Sequence, residues 1–317
     1  MVSLLGLEPE GYEPHAVHRA GRSYTETNCY TDILIELLHA RGDEPLAAMG
    51  FTVQMDFEGD QWTFFKPPPE DLIELFGVDI HEMQPWRPLP EQIEENLEHG
   101  RSLIVELDSF YLPDTAATAY RREHVKSSAV MEAIDRDAET LRYFHNAGFY
   151  ELSGEDYREV FRLGREFSPD VLPPYTELVR FDAGERLGGD ALRAASRSLL
   201  GRRLARRPRA NPFAAFGERL AADLPALLEG DVEHFHAYAF ATVRMVGSAF
   251  EICASHVDWL LGAEGERARE GLLEIVEGCK VLSFRLARRK PFDPEPIVAG
   301  LAGGWESAMA ALDEVAG

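Results

Sequence analysis

Hydrophobic and polar positions alternate in two different rhythms along this chain. In residues 29–40, Ile33, Leu34, Leu37 and Leu38 recur at helical spacing and predict a helix with one apolar face. Thr27 or Asn28 can cap its start, and Arg41-Gly42 ends it. Short apolar runs follow at 50–55 and 62–65, separated by the turn Glu58-Gly59-Asp60, and read as strand or buried loop. Residues 69–77 and 90–100 predict two short helices, the first with proline near its start. Ser102 to Asp108 predicts a strand. A second strand is expected from His124 to about Ile134, then a turn over 135–140 and a hairpin partner over 141–146.

The texture changes near residues 155–170. Beyond it nearly everything has helical period, with helices expected at 190–207, 211–229, 232–261, 267–288 and 294–315. Asn211-Pro212 is a start signal, and Gly230-Asp231 and Gly262 are stops. No repeat of solenoid period is present. The expected class is α+β: an N-terminal α/β domain over 1–165, then an all-α helical bundle over 166–317.

Composition narrows the function classes. The 317 residues, 45% hydrophobic, suffice for two cores. A net charge of −23 argues against a nucleic-acid partner, whose phosphates would be repelled. Cys29, Cys253 and Cys279 are odd in number and widely spaced, which predicts reduced thiols rather than disulfides or a metal site. The opening Met1-Val-Ser-Leu-Leu-Gly-Leu has no basic region and its apolar run is short for a secretory leader, so none is expected. The apolar stretch 237–261 is broken by Arg244, Glu251, His256 and Asp258, so a buried helix is expected there, not a membrane span. A cytoplasmic location follows as an expectation.

Cys29 carries the most chemical information. At the first turn of an amphipathic helix, unpaired N–H groups and the helix dipole favour a thiolate. A small buried hydrophobe is the alternative use of a free cysteine, and it is the reading for Cys253 and Cys279. His124, at the mouth of a strand, can take a proton from a thiol on a neighbouring helix; a solvated histidine is its plain alternative. Asn146 is a candidate third member that would fix the imidazole tautomer; a turn over 135–140 sets it opposite Ala129 and a tighter turn at 134–136 opposite His124, so His145 and Asp108 are alternatives. Gln61, next to Asp60 in a polar turn, could donate to an oxyanion or sit in a surface loop. Tyr111 is a further substrate-side candidate. His234 and His236 face different directions on a helix, so no metal is expected there. Seven arginines and no acid occur between 193 and 209, either a solvated face or, at Arg202, Arg203 and Arg206, a docking patch for an acidic partner.

The runs Glu26-Thr-Asn-Cys29-Tyr-Thr-Asp32, Asp56-Phe-Glu-Gly-Asp60-Gln-Trp-Thr-Phe-Phe-Lys66, Phe110-Tyr-Leu-Pro-Asp114, His124-Val-Lys126 and Tyr143-Phe-His-Asn146-Ala-Gly resemble a bacterial family that carries a domain-of-unknown-function label, over most of residues 20–165. More distantly, the order of Cys-helix, strand, His-strand and strand is similar to the N-terminal domain of the butirosin-pathway acyltransferase and to bacteriocin-processing cysteine peptidase domains. That resemblance implies a papain-like N-terminal domain over 1–165 with Cys29 as nucleophile and His124 as base. It also implies an acyl carrier protein as partner, whose phosphopantetheine is a substrate arm rather than a bound cofactor, and a small-molecule acceptor.

Three functions are therefore expected to compete. One is a cysteine acyltransferase moving an acyl or aminoacyl group from a carrier thioester to an amine or hydroxyl. The second is a peptidase or amidase using the same residues with water. The third is a non-catalytic module that binds the carrier.

Overall fold

The structure is a computed structural model that describes residues 1–19, 21–25, 28–164 and 172–316. In chain order the strands are β1 (Val2–Ser3), β2 (Phe57–Glu58), β3 (Gln61–Trp62), β4 (Asp79–Met83), β5 (Ser102–Asp108), β6 (Lys126–Asp135), β7 (Thr140–His145), β8 (Gly148–Ser153) and β9 (Thr176–Arg180). The helices are α1 (Cys29–Ala40), α2 (Pro69–Phe76), α3 (Leu89–Glu98), α4 (Glu155–Val160), α5 (Gly189–Leu204), α6 (Pro212–Glu229), α7 (Val232–Ala239), α8 (Met245–Leu261), α9 (Glu266–Ala287) and α10 (Glu295–Ala316). The class is α+β, sheet-rich in its N-terminal part and helical in its C-terminal part. Among the described residues no helix is long and apolar enough to cross a membrane.

The chain divides into two compact units. The first comprises 1–18, 29–45 and 69–186, and the second 19–28, 46–68 and 187–317. The first unit therefore runs beyond residue 165, because β9 sits inside its sheet. The segment 46–68, read from the sequence as part of the N-terminal domain, belongs to the second.

The first unit is built on an antiparallel sheet of order β4-β9-β5-β6-β7-β8, with β1 pairing the far end of β6. Alternation along β5 sends Leu103, Val105 and Leu107 into a core with Ile93 and Leu97 of α3 and Tyr157 and Val160 of α4. Ile104, Glu106 and Asp108 point to the other face, which α1 covers through contacts with β6, β7 and β8. Because both faces are covered, β6 is buried from Ser127 to Ile134, which explains its lack of polar alternation. The ladder between β6 and β7 is irregular between Met131 and Ala133, where the intervening Glu132 turns its carboxylate to the N-terminal segment. Its Oε1 accepts from the Ser3 hydroxyl at 2.7 Å and from the backbone N–H of Leu5 and Gly6 at 2.9 and 3.1 Å.

In the second unit the hairpin β2–β3 delivers Phe57 and Trp62 to Phe213 and Phe216 of α6, with ring centroids 5.0–5.6 Å apart. Helices α8, α9 and α10 pack in succession. Gly271 and Gly304 let α9 and α10 approach closely: a Cβ on Gly271 would lie 2.7 Å from the Gly304 carbonyl oxygen. The helix expected over 232–261 is interrupted by a π-type turn at Phe240–Arg244.

Candidate functional site

Asp108 closes β5 and divides its carboxylate between two tasks. Oδ1 accepts from the Phe110 N–H at 3.0 Å and caps the turn Ser109–Tyr111. Oδ2 lies 2.6 Å from Nδ1 of His124, two residues before β6 begins. A carboxylate at Nδ1 holds the proton there and leaves Nε2 as the basic nitrogen. Phe110 stacks on the imidazole at 4.4 Å and 14°, and Tyr111 meets it edge-on at 6.2 Å. The Arg121 guanidinium covers Phe110 and Tyr111, and pairs with Asp156 and Glu159. His124 is thus oriented on two sides while its side chain stays 66% exposed. It lines a cavity of about 280 Å³ together with Asp108, Lys126, Arg162, Pro174 and Tyr175.

Cys29 is the first residue of α1 and is partly exposed. Its neighbour Tyr30 is buried and donates to Oε2 of Glu177 on β9 at 2.6 Å. Tyr175 donates to Oε1 of the same carboxylate at 3.0 Å. One buried carboxylate therefore joins the first turn of α1 to a residue of the cavity that holds His124. Glu177 is opposite Ile104 in the ladder, so alternation sets Tyr30, Glu177 and the Asp108–His124 pair on one face of the sheet. Further along α1, His18 lies between Asp32 and Glu36, with Nε2 at 3.0 Å from Asp32 and Nδ1 at 2.5 Å from Glu36. Glu36 also accepts from the Tyr12 hydroxyl and the His15 N–H. Burial opposes a charge on His18, but the two carboxylates outweigh it and raise the imidazole pKa above its ordinary value.

A second polar chain is sealed on the opposite face. His145 Nδ1 is 2.5 Å from Asp114, its Nε2 is 2.6 Å from the Ser127 hydroxyl, and Asp114 also accepts from Tyr143 at 2.5 Å. The order Asp, His, Ser matches a hydrolase triad. Its histidine and aspartate side chains are only 1% and 3% exposed, so no substrate reaches the reacting atoms in this conformation. The chain instead fixes the loop between β5 and β6 that presents His124.

The remaining sequence candidates are dispersed. Asn146 is not the acceptor for His124; Asp108 is. Asn146 occupies the two-residue turn between β7 and β8 with φ +48°, a conformation asparagine tolerates. His145, not Asn146, is opposite Ala129, because the extra residue Glu132 between Met131 and Ala133 shifts the β6–β7 register by one. Gln61 and Asp60 lie exposed in the β2–β3 hairpin of the second unit. Thr27, one of the two cap candidates, lies outside the described residues. The arginine run does not form the free basic patch expected for docking. Arg203 is buried and near Gln54, Arg202 bonds Ser198, Arg197 pairs with Glu264, and Arg207 grips Asp313 with both terminal nitrogens. Arg206 is exposed and its bonds are those of its backbone, with Arg203 and Gln54, so among the described residues its guanidinium forms no ion pair.

Sequence reasoning missed Tyr175 and Glu177. Their spacing of two would have put them on one face had 176–180 been read as a strand.

The geometry defines a class before a family: a two-part α+β protein whose sheet presents a His–Asp pair on the face carrying a cysteine-headed helix. The chain matches the DUF1839 N-terminal domain over residues 13–181 and the DUF1839 C-terminal domain over 189–314. It belongs to the DUF1839 family. Both Cys29 and His124 fall within the first match. No curated protein matches the chain.

Proposed function

We propose that this protein is a cysteine-dependent acyltransferase on a papain-like frame. His124 Nε2 takes the Cys29 thiol proton, and the thiolate attacks the carbonyl carbon of a donor thioester. The donor C–S bond breaks, and the departing thiolate takes the proton from the imidazolium. An amine or hydroxyl acceptor then attacks the Cys29 thioester, gives its proton to His124, and releases the Cys29 thiolate. Asp108 accepts from Nδ1–H throughout and stabilises the imidazolium formed in each half. A thioester suits the nucleophile because attacking and leaving thiolates are of similar basicity.

The observation that carries this reading is the Tyr30–Glu177–Tyr175 bridge, which ties the cysteine end of α1 to the cavity lined by His124. The donor we assign is a thioester on the phosphopantetheine arm of a carrier protein, as the family resemblance implies. A specific feature favours a second reading, hydrolysis: His124 is 66% exposed, so water can act as acceptor. Single-turnover reaction with an acyl thioester, with and without a primary amine, separates the two. Amide formation that rises with amine concentration supports transfer, and free acid alone supports a hydrolase. Neither product above the rate of the Cys29→Ser protein contradicts both.

A further inference from the structure

We propose that the solvent face of α9 is an interface between two copies of this chain, which pair antiparallel about a two-fold axis. The helix buries Leu272, Ile275, Val276 and Leu282 on the side that packs against α8 and α10. On its other side Glu270, Leu273, Glu277, Val281, Phe284 and Arg288 follow one another at spacings of three and four, and all are exposed. Phe284 is 61% exposed, Val281 46% and Leu273 38%. Single apolar side chains in water are ordinary, but an aligned set flanked by charge has the layout of a contact surface.

The charges on this face are segregated. Glu270 and Glu274 belong to its first half, Arg285 and Arg288 to its last turn. Among the described residues none of these four forms an ion pair, whereas neighbours on the helix do: Arg267 with Glu314, Arg269 with Asp258 and Lys280 with Glu277. Arg288 lies over its own Phe284 ring at 5.5 Å, and Arg285 is wholly uncommitted. The helix dipole accounts for acids first and bases last. It does not account for an exposed phenylalanine beside the bases.

That segregation selects the occupant. A uniformly acidic or uniformly basic partner would match one half of the face and be repelled by the other. A second α9 running the opposite way matches both. With the two-fold axis level with Cys279, Glu270 and Arg288 lie equally far from it on either side, so Glu270 of each copy meets Arg288 of the other. At 3.6 residues per turn, Glu274 and Arg285 share one edge of the face, and Leu273 and Phe284 share the other. The two-fold sets each edge against its own counterpart, so Glu274 meets Arg285 and Leu273 meets Phe284, each twice. The paired stretch from Glu270 to Arg288 is about 27 Å long at helix rise. Helix α7 packs on α9 yet buries none of its residues, leaving Val232 exposed as further surface for a second copy. The face lies within the second unit and shares no residue with the Cys29–His124 site, so it is independent of the proposed acyl transfer.

The test is sedimentation of the full chain over a concentration series at low and high salt. The expected result is a reversible monomer–dimer equilibrium that weakens as salt rises. Phe284→Glu should weaken it at least about tenfold, and the dilute protein should melt as wild type does, because the ring is exposed. Glu270→Arg and Arg288→Glu should each weaken it about tenfold, since the two-fold changes two contacts at once. The two reversals combined in one chain should restore the wild-type dimer, because each pair is exchanged intact. A monomer at every concentration, whether or not it binds acidic peptides or anionic vesicles, would overturn the second copy as occupant. A dimer indifferent to Phe284→Glu would place the interface elsewhere. A double variant no tighter than the single ones would overturn the antiparallel register.

Discussion

Among single residues, Asp108 has the largest part in the proposed role of His124. One oxygen of Asp108 fixes the imidazole and the other fixes the turn behind it. Asp108→Asn can keep the capping oxygen but loses the charge that favours the imidazolium. Its acyl-transfer rate should fall by about 10²-fold or more, with melting temperature little changed. A rate within twofold of wild type would remove Asp108 from the mechanism. The three cysteines allow a direct comparison. Burial pushes the Cys253 thiol up to about 12 and raises that of Cys279 as well, whereas Cys29 is partly exposed. Iodoacetamide at neutral pH should label Cys29 in the folded protein at least about tenfold faster than either buried thiol. Equal labelling of all three, followed by peptide mapping, would contradict the assigned environments.

At the scale of elements, α1 is held by a buried histidine between two carboxylates. The His18 pKa is raised on folding. Its contribution is therefore complete below the unfolded value of about 6.5 and is lost as pH rises through the folded value. Thermal stability should decline on the alkaline side of neutrality, and His18→Gln should flatten that decline. The variant should also cost about 3–5 kcal/mol, because Asp32 and Glu36 remain buried without their cation. A melting curve that keeps the wild-type pH dependence would show that another group carries it. The close passage of α9 past α10 gives a second check. Gly304→Val would drive side-chain atoms against the Gly271 carbonyl, and should lower stability by about 1–3 kcal/mol.

Elements with a clear period were legible in the sequence: α1, β5, β6, β7 and most of the helical half. Those that tertiary position defines were not. Asp79–Met83 is a polar edge strand, where charge protects an open edge instead of marking a loop. Thr176–Arg180 is short and acquires its meaning only between β4 and β5. The break at 240–244 had no proline or glycine to announce it. Thr242 there bonds back to the Tyr238 carbonyl at 2.6 Å, a contact known to bend helices. At the site, Cys29 and His124 could be nominated from local pattern alone. The acceptor for His124 depended on register: Asp108 is opposite Lys126, a pairing that no local pattern encodes.

At the scale of the whole molecule, the two units are interleaved in sequence although each family domain match is a continuous run. The helical unit takes Phe57 and Trp62 from the segment 46–68 into its aromatic core. A fragment of residues 187–317 would lack both rings. It should melt with little cooperativity, and a sharp transition at the full chain's temperature would show that the hairpin is dispensable. The acidity of the molecule, −23 overall, bears on partners more than on fold. With most of the arginine run engaged by its own chain, any carrier protein must be recognised by something other than a broad basic patch. Whether Cys29 accepts an acyl group with help from His124 is read from intact mass after mixing the full chain with an acyl-loaded carrier protein. The proposed transfer gives a mass gain of one acyl group mapped to Cys29, absent in Cys29→Ser and slowed in His124→Ala. No gain on Cys29, or an equal gain in Cys29→Ser, would contradict it.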